Sequence, residues 1–272
     1  MWQETKVTLD EAALQAACLD RGLPWKVRVV AETASTNDLL REEGRLSDRR
    51  NEVVFAEKQT AGRGRREHVW EGAAGRDLLF SLMLKPEVAV AKWTRVTQLT
   101  ALAVCRAVER ELGLRAEIKW PNDVLLDGKK VCGILVESFG GVAGAFLVIG
   151  IGLNVNAEAF EGELQWTATS LRMACDSPTV MERGLDRGGI ALALMHELHE
   201  ALQAIEDDGR FRSCLEEVRQ RNAWLGRQVR MRIEGQECWG RVTGLSEEGA
   251  LLLQTAEGEE KVIYSAEQVR LV

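Results

Sequence analysis

The sequence predicts an α+β fold, a mixed β-sheet with helices packed on it, followed by a small closed barrel of the SH3 type. Three observations predict this. The apolar runs Leu78 to Leu84, Val131 to Val136 and Ala145 to Val155 read as strands of a buried sheet. Val96 to Leu112 and residues 190 to 207 carry their apolar side chains at helical spacing. From Val229 onward the period drops to two, with short strands punctuated by Glu-Gly pairs. A chain of 272 residues with 46% hydrophobic content can bury one large core and a smaller one. The expected division is 1–224 for the sheet domain and 225–272 for the barrel.

Each element has its own local reason. Thr8 and Glu11 have the spacing of a capping box before an alanine- and leucine-rich helix that Gly22 and Pro24 close. A strand from Val27 to Val30 follows. Ser35-Thr36-Asn37-Asp38 then reads as a helix cap, with the helix fading near Gly44. Val53 to Ala56 is a short strand that runs directly into a basic loop. The helix from Val96 to Leu112 stops at Gly113. Ile118-Lys119 enters Trp120-Pro121-Asn122-Asp123, where proline excludes the helical conformation from its predecessor and Asn and Asp favour a turn. The two apolar runs around Phe139-Gly140-Gly141-Val142 should pair as an antiparallel hairpin. Ile190, Leu194, Leu198, Leu202 and Ile205 line one helix face, and Phe211 to Asn222 adds a second helical piece. In the barrel, strands are expected at Val229 to Ile233, Trp239 to Val242, Ala250 to Leu253 and Val262 to Tyr264, with turns at Glu234-Gly235, Glu248-Gly249 and Glu257-Gly258.

The bulk charge narrows the function. A formal net charge of -7 disfavours a generic nucleic-acid or membrane-surface binder, so any positive patch is local. No run approaches a membrane span, and Met1-Trp2-Gln3-Glu4 does not begin a signal peptide, so a cytoplasmic location is expected. The six cysteines stand singly without zinc or dithiol spacing and read as reduced core residues.

Against that acidic background, Gln59-Thr60-Ala61-Gly62-Arg63-Gly64-Arg65-Arg66 stands out. Glycines let successive amides turn toward one centre, and arginines add forks that match phosphate or carboxylate oxygens. The spacing fits neither a P-loop nor a dinucleotide fingerprint, so the loop alone specifies an anion without saying which, and a solvated basic turn stays open. Lys119-Trp120-Pro121-Asn122-Asp123 joins a cation, an aromatic surface and two oxygen-bearing side chains; an ordinary Asx turn is its alternative. Lys130 opens an apolar strand that continues Val131-Cys132-Gly133-Ile134-Leu135-Val136-Glu137. Gly150-Ile151-Gly152-Leu153-Asn154 puts glycines where backbone can approach either a ligand or a packing neighbour. His196-Glu197-Leu198-His199-Glu200 has its histidines three apart, which suits a solvated helix face better than a zinc site.

In this order, Ser35-Thr36-Asn37, Gln59 to Arg66 with Trp70, Lys119 to Asp123, Lys130 with Gly133 to Glu137, Gly150 to Asn154 and Thr169-Ser170-Leu171 resemble the biotin protein ligases. The resemblance covers about residues 30 to 172 by motif, and the C-terminal barrel agrees with it. It implies the biotin/lipoate ligase type of sheet domain, related to class II synthetases. The substrates it implies are biotin and ATP with Mg²⁺, the metal held mainly through the ATP phosphates. Biotin would be activated to biotinyl-5′-AMP and passed to a lysine of a biotin carboxyl carrier domain of a carboxylase. Ser35, Thr36, Asn37 and Gln59 would bind the ureido group. Arg63, Gly64, Arg65, Lys130 and Gly133 would surround the rest of biotin and its carboxylate. Arg65, Arg66, Trp70, Lys119, Asn122 and Asn154 would hold ATP and the adenylate. Arg63, Lys130 and Asp123 would be catalytic, Asp123 as a base or orienter for the incoming lysine.

The resemblance admits a homodimer and gives no role to DNA or a membrane. Only about 34 residues precede Ser35, whereas bifunctional members carry a DNA-binding winged helix there, so a monofunctional enzyme without repressor action is expected. The rival readings are a lipoate or octanoate ligase of the same fold, whose members lack the Gly62 to Arg66 pattern, and a biotin sensor without transfer activity. Glu67 departs from the glycine or asparagine common in the family and offsets part of the loop's charge. It should loosen retention of the adenylate, so that Glu67→Gly slows adenylate release; equal off-rates for the two proteins would refute this.

Overall fold

The computed structural model describes residues 8–65, 69–233 and 235–272. Arg66, Glu67 and Glu234, all singled out in the sequence, lie outside the described residues. The chain opens with α1 (Glu11–Asp20), β1 (Lys26–Thr33), α2 (Thr36–Leu46), β2 (Glu52–Gln59) and β3 (Leu78–Leu84), followed by a 3₁₀ turn and α3 (Arg95–Leu112). Next come β4 (Glu117–Lys119), β5 (Asp123–Leu126), β6 (Lys129–Gly141) and β7 (Gly144–Leu153). The short helices α4 (Leu164–Thr167), α5 (Leu171–Ala174) and α6 (Pro178–Arg183) lead to α7 (Arg187–Leu202) and α8 (Asp208–Gln220). The remainder is β8 (Gln228–Ile233), β9 (Gln236–Leu245), β10 (Leu251–Gln254), β11 (Glu260–Ile263) and β12 (Glu267–Leu271).

The seven strands of the first sheet run in the order β1-β2-β3-β7-β6-β5-β4. The β1–β2 pair is parallel and every other pair is antiparallel, which makes the sheet mixed. Strand period two then sorts the side chains. On one face Val53, Phe55, Leu78, Phe80, Leu82, Leu147, Ile149 and Ile151 join the core under α3 and α7. On the other face Val54, Met83, Phe146 and Val148 meet Leu40 of α2. Farther along that second face the apolar residues give way to Ser81, Gly133, Gly150 and Gly152, and the sheet is left uncovered.

The five C-terminal strands form an antiparallel sheet in the order β11-β10-β9-β8-β12, in keeping with the SH3-like barrel read from the sequence. Two clasps join it to the first sheet. Residues 221–223 run beside Ile118, whose amide donates to Arg221 O at 2.7 Å and whose carbonyl accepts from Ala223 N at 3.0 Å. The indole of Trp120, 4% exposed, donates to Gly249 O at 3.2 Å. The aromatic of the Lys119 to Asp123 turn is therefore a strut between the two sheets.

Several boundaries differ from the sequence reading for identifiable reasons. Asp10, not Thr8, caps α1 by accepting from Ala13 N at 3.0 Å, and Glu11 instead accepts from Val29 N at 2.8 Å. The hairpin of β6 and β7 extends through Phe139-Gly140-Gly141 to a tighter turn, because the ladder continues to Gly141 opposite Gly144. The helix expected to run to residue 207 breaks at Leu202 into a 3₁₀ turn, Gln203–Ile205, and Asp207 starts α8 by capping Gly209 and Arg210. The six cysteines are free, three of them buried, and burial pushes the Cys105 thiol up to about 12. Among the described residues no helix is long and apolar enough to cross a membrane, and no cluster of three metal-ligating side chains forms, the α7 histidines included.

Candidate active site

The uncovered stretch of sheet forms the floor of a cleft of about 560 Å³. Its walls come from the N-terminus of α2, from Gln59, Arg63, Gly64, Arg65, Val69 and Trp70, from the turn after β4 and, from the second sheet, Ala266, Glu267, Val269 and Arg270. The floor is bare because its register leaves no room for a side chain. Gly150 lies between Ser81 and Leu135, and Gly152 lies between Leu79 and Gly133. A Cβ on Gly150 would stand 2.2 Å from Asn37 Oδ1, and one on Gly152 would stand 2.3 Å from the Trp70 ring. One on Gly133 would meet the same ring at 2.6 Å. Contacts this short cannot form, so the glycines set how deep Asn37 and Trp70 can sit.

At one end of the cleft the groups are neutral and buried. Ser35 caps α2, accepting from Asp38 N at 3.5 Å, which fixes Thr36 and Asn37 in the first turn. Gln59 Oε1 accepts from Thr36 N at 2.8 Å. Thr36 Oγ1 stands 2.6 Å from Ser81 Oγ, and Ser81 donates to Asn37 Oδ1 at 2.5 Å. Asn37 Nδ2 in turn donates to Glu137 Oε2 at 2.9 Å. Ser35, Thr36, Asn37 and Ser81 are each less than 5% exposed, so these donors and acceptors form a preset hydrogen-bonding surface rather than a solvated one.

The other end is cationic. Lys130 Nζ pairs with Asp123 Oδ1 at 2.7 Å and lies 5.2 Å from the centre of the Trp70 ring. Lys119 Nζ is 3.7 Å from Asp123 Oδ2 and 5.0 Å from the Trp224 ring centre. Two ammonium groups share one carboxylate there. Burial holds the Lys119 ammonium below the ordinary lysine pKa; Lys130 adds to the depression and Asp123 opposes it. Arg65 reaches across the cleft, donating to Asn122 Oδ1 at 3.3 Å and to Ser265 Oγ of the second sheet at 3.2 Å. Asn122 is itself fixed by donating to Ile134 O at 2.8 Å. The arrangement suits an elongated ligand with a neutral polar head and an anionic tail.

The chain's affiliation follows from comparison with known proteins. A model of the Biotin/lipoate A/B protein ligase family matches residues 29–154, and one of the Biotin protein ligase C terminal domain matches residues 224–267. The Biotin--[acetyl-CoA-carboxylase] ligase of Mycobacterium tuberculosis is 32% identical over 271 residues, covering 96% of this chain and 95% of that protein. The chain belongs to the biotin protein ligase family.

Other biotin ligases agree in part or in whole. The bifunctional ligase/repressor BirA of Bacillus subtilis is 35% identical over 218 residues, 79% of this chain and 65% of that protein. The chain thus spans just under two thirds of that relative's length. The structure of the biotin protein ligase from Aquifex aeolicus in complex with biotin and ATP superposes with a TM-score of 0.77 at 28% identity, covering 91% of this chain and 99% of that one. Both sheets therefore have counterparts in a biotin ligase.

Most of the residues singled out in the sequence line this one cleft: Ser35, Thr36, Asn37, Gln59, Arg63, Gly64, Arg65, Trp70, Lys119, Asn122, Asp123, Lys130 and Gly133. Asn154 does not. It is 3% exposed, donates from Nδ2 to Thr169 O at 2.9 Å and from its amide to Val131 O at 2.9 Å, and so ties the 168–171 segment to the strand that carries Lys130. Arg66 lies outside the described residues. Sequence reasoning quoted Glu137 within a motif without giving it a role, and missed Ser81 and the β12 residues Glu267 and Arg270, which bring the second sheet to the cleft. Ser81 had a signal, as a hydroxyl inside an apolar strand, and so did Glu137, as a charge at the end of one. Glu267 and Arg270 had none, because no local pattern says which sheet edge faces another domain.

Proposed function

We propose that the chain is an ATP-dependent biotin protein ligase that makes biotinyl-5′-AMP and then biotinylates a lysine of a biotin carboxyl carrier domain. The acceptor is part of a biotin-dependent carboxylase, the compartment is the cytoplasm, and neither DNA nor a membrane takes part. The supporting observation is the polarity of one cleft: a neutral, buried hydrogen-bonding end and an end where two lysines share one carboxylate, joined by a glycine floor.

Under this reading Thr36, Asn37 and Gln59, held by Ser35 and Ser81, receive the ureido head, and the acyl chain lies over Gly150 and Gly152. The carboxylate then points to Lys130 and Lys119. In the first step its oxygen attacks the α-phosphorus of ATP, the new P–O bond forms, and the bond to pyrophosphate breaks. Both reactants are anions, so Lys119, Lys130 and Arg65 act by lowering their repulsion and stabilising the charge that grows on the phosphoryl oxygens. Asn122 holds Arg65 and Trp70 walls the cleft beside Lys130, placing both next to the nucleotide. In the second step the acceptor amine attacks the acyl carbon, the C–O bond to AMP breaks, and the amine gives up a proton. Asp123, between the two lysines, is the carboxylate at hand to orient that amine and take the proton.

Among the described residues Asp123 and Glu267 are the carboxylates that line the cleft, and Asp123 already serves two lysines. This donor set fits Mg²⁺ carried by the ATP phosphates with few protein ligands. When bound, the ion supplies further charge neutralisation at the phosphoryl oxygens.

Biotin-dependent exchange of pyrophosphate into ATP tests the reading. Biotin should support exchange and subsequent transfer to a carrier domain, with lipoate or octanoate at least about a hundredfold less effective because they leave the buried polar end unpaired. Equal exchange with octanoate would overturn the assignment. The depressed Lys119 pKa adds a pH signature. The ammonium is lost at lower pH than an ordinary lysine's, so the alkaline limb of the adenylation profile should fall early, and Lys119→Arg, whose guanidinium stays protonated, should move that limb upward. An unmoved limb would remove Lys119 from the step.

A further inference from the structure

The basic segment's first arginine does not stand with the cationic end of the cleft. Arg63 meets Glu137 end-on, with Nη2 to Oε2 at 2.6 Å and Nη1 to Oε1 at 3.2 Å, and its Nη2 is also 3.1 Å from Asp38 Oδ1. Its Nε is buried without a hydrogen-bond partner. Asp38 also pairs with Arg41 at 2.8 Å, and Arg41 pairs with Glu42 at 3.1 Å, so the carboxylates here are at least as many as the guanidinium groups and no positive excess is left. At the far end two ammonium groups face one carboxylate, and the excess is positive. A ligand carboxylate brought to Arg63 would stand beside Glu137 and Asp38 and be repelled by both.

Arg63 has a second set of contacts that suits a mechanical task. Its backbone bridges Val69, and Trp70 N donates to Gly62 O at 3.0 Å, so the segment closes at a neck. The Arg63–Glu137 fork ties this neck to β6 at the register position of Val148, one strand step beyond the glycine floor. The same Glu137 carboxylate accepts from Asn37 Nδ2 at 2.9 Å. Glu137 thus fixes both the ureido-end asparagine and the neck that presents Gly64, Arg65 and Trp70 to the cleft.

We propose that Glu137 is a positioning residue that holds Arg63 as a clip on the neck, so that Arg63 orders the slot and the ligand's carboxylate is received by Lys130 and Lys119 instead. The proposal rests on the reading of the cleft as a biotin site. It reassigns Arg63 from anion receptor to structural tie and gives Glu137, outside the cleft lining, a direct influence on ligand affinity.

Calorimetric binding of biotin and of its neutral amide to the full chain separates these roles, because the amide lacks the carboxylate. Arg63→Met and Glu137→Gln should each weaken both ligands by the same factor, roughly tenfold for loss of a half-buried charged fork, and the double variant should be no worse than either single one. Glu137→Asp should recover part of the loss, and Lys130→Met should erase the preference for biotin over the amide. Thermal melts on each variant show that the fold is intact. Loss of biotin binding with amide binding unchanged in Arg63→Met would overturn the proposal. So would tighter biotin relative to the amide in Glu137→Gln, since that would make Glu137 an opponent of the anion. If the unaltered chain bound neither ligand, the biotin reading would fail and this inference with it; binding of both with a changed ratio in the Arg63 or Glu137 variants would sink the inference alone.

Discussion

An apolar sheet face can make room for a polar ligand only where its side chains are taken away, and Gly133, Gly150 and Gly152 are where this sheet is bare. Everything in the cleft is placed relative to that floor. Under α2 the same face is filled by Val54, Met83, Phe146 and Val148, and these residues fix the height of the helix. A few residues along β7 the side chains vanish, and the first turn of α2 descends until Asn37 rests on Gly150 and Trp70 rests on Gly152 and Gly133. Because strand neighbours alternate, the other face of β7 stays continuous with Ile149, Ile151 and Leu153, so the slot opens without breaching the main core.

The floor also explains why charge is sorted along the cleft. Its closed end abuts buried hydroxyls and amides that have hydrogen-bond partners within the protein, an arrangement in which an unpaired charge would be costly. Its open end lies at the strand ends, where Lys119, Lys130 and Asp123 keep access to solvent. The second sheet finishes that open end. Trp120 is gripped by Gly249, Arg65 reaches Ser265, and β12 contributes to the lining, so the barrel is part of the site and not an appendage to it.

Much of this was legible in the sequence because it is written locally. Apolar period gave the strands and long helices, Ser35 marked the start of α2, and the clustered glycines and cations marked the cleft. What stayed hidden depends on long-range register. The strand β12 is short and is set by its pairing with β8, and no local pattern says that Glu267 and Arg270 face the cleft. Arginines close together in sequence read as one anion-binding unit, and no local pattern shows that Arg63 pairs with Glu137, 74 residues away. Asn154 looked like a ligand contact because it ends a glycine-containing strand, and its side chain points to Thr169 instead.

The bare floor is tested most directly by adding one methyl group. In Gly150→Ala the new Cβ must displace Asn37 from Ser81 and Glu137 while the apolar face beneath is untouched. Titration calorimetry with biotin should show affinity falling by at least about a hundredfold, as expected when a hydrogen-bonding site loses its arrangement, while the melting transition remains cooperative. Affinity equal to that of the unaltered chain would contradict the account.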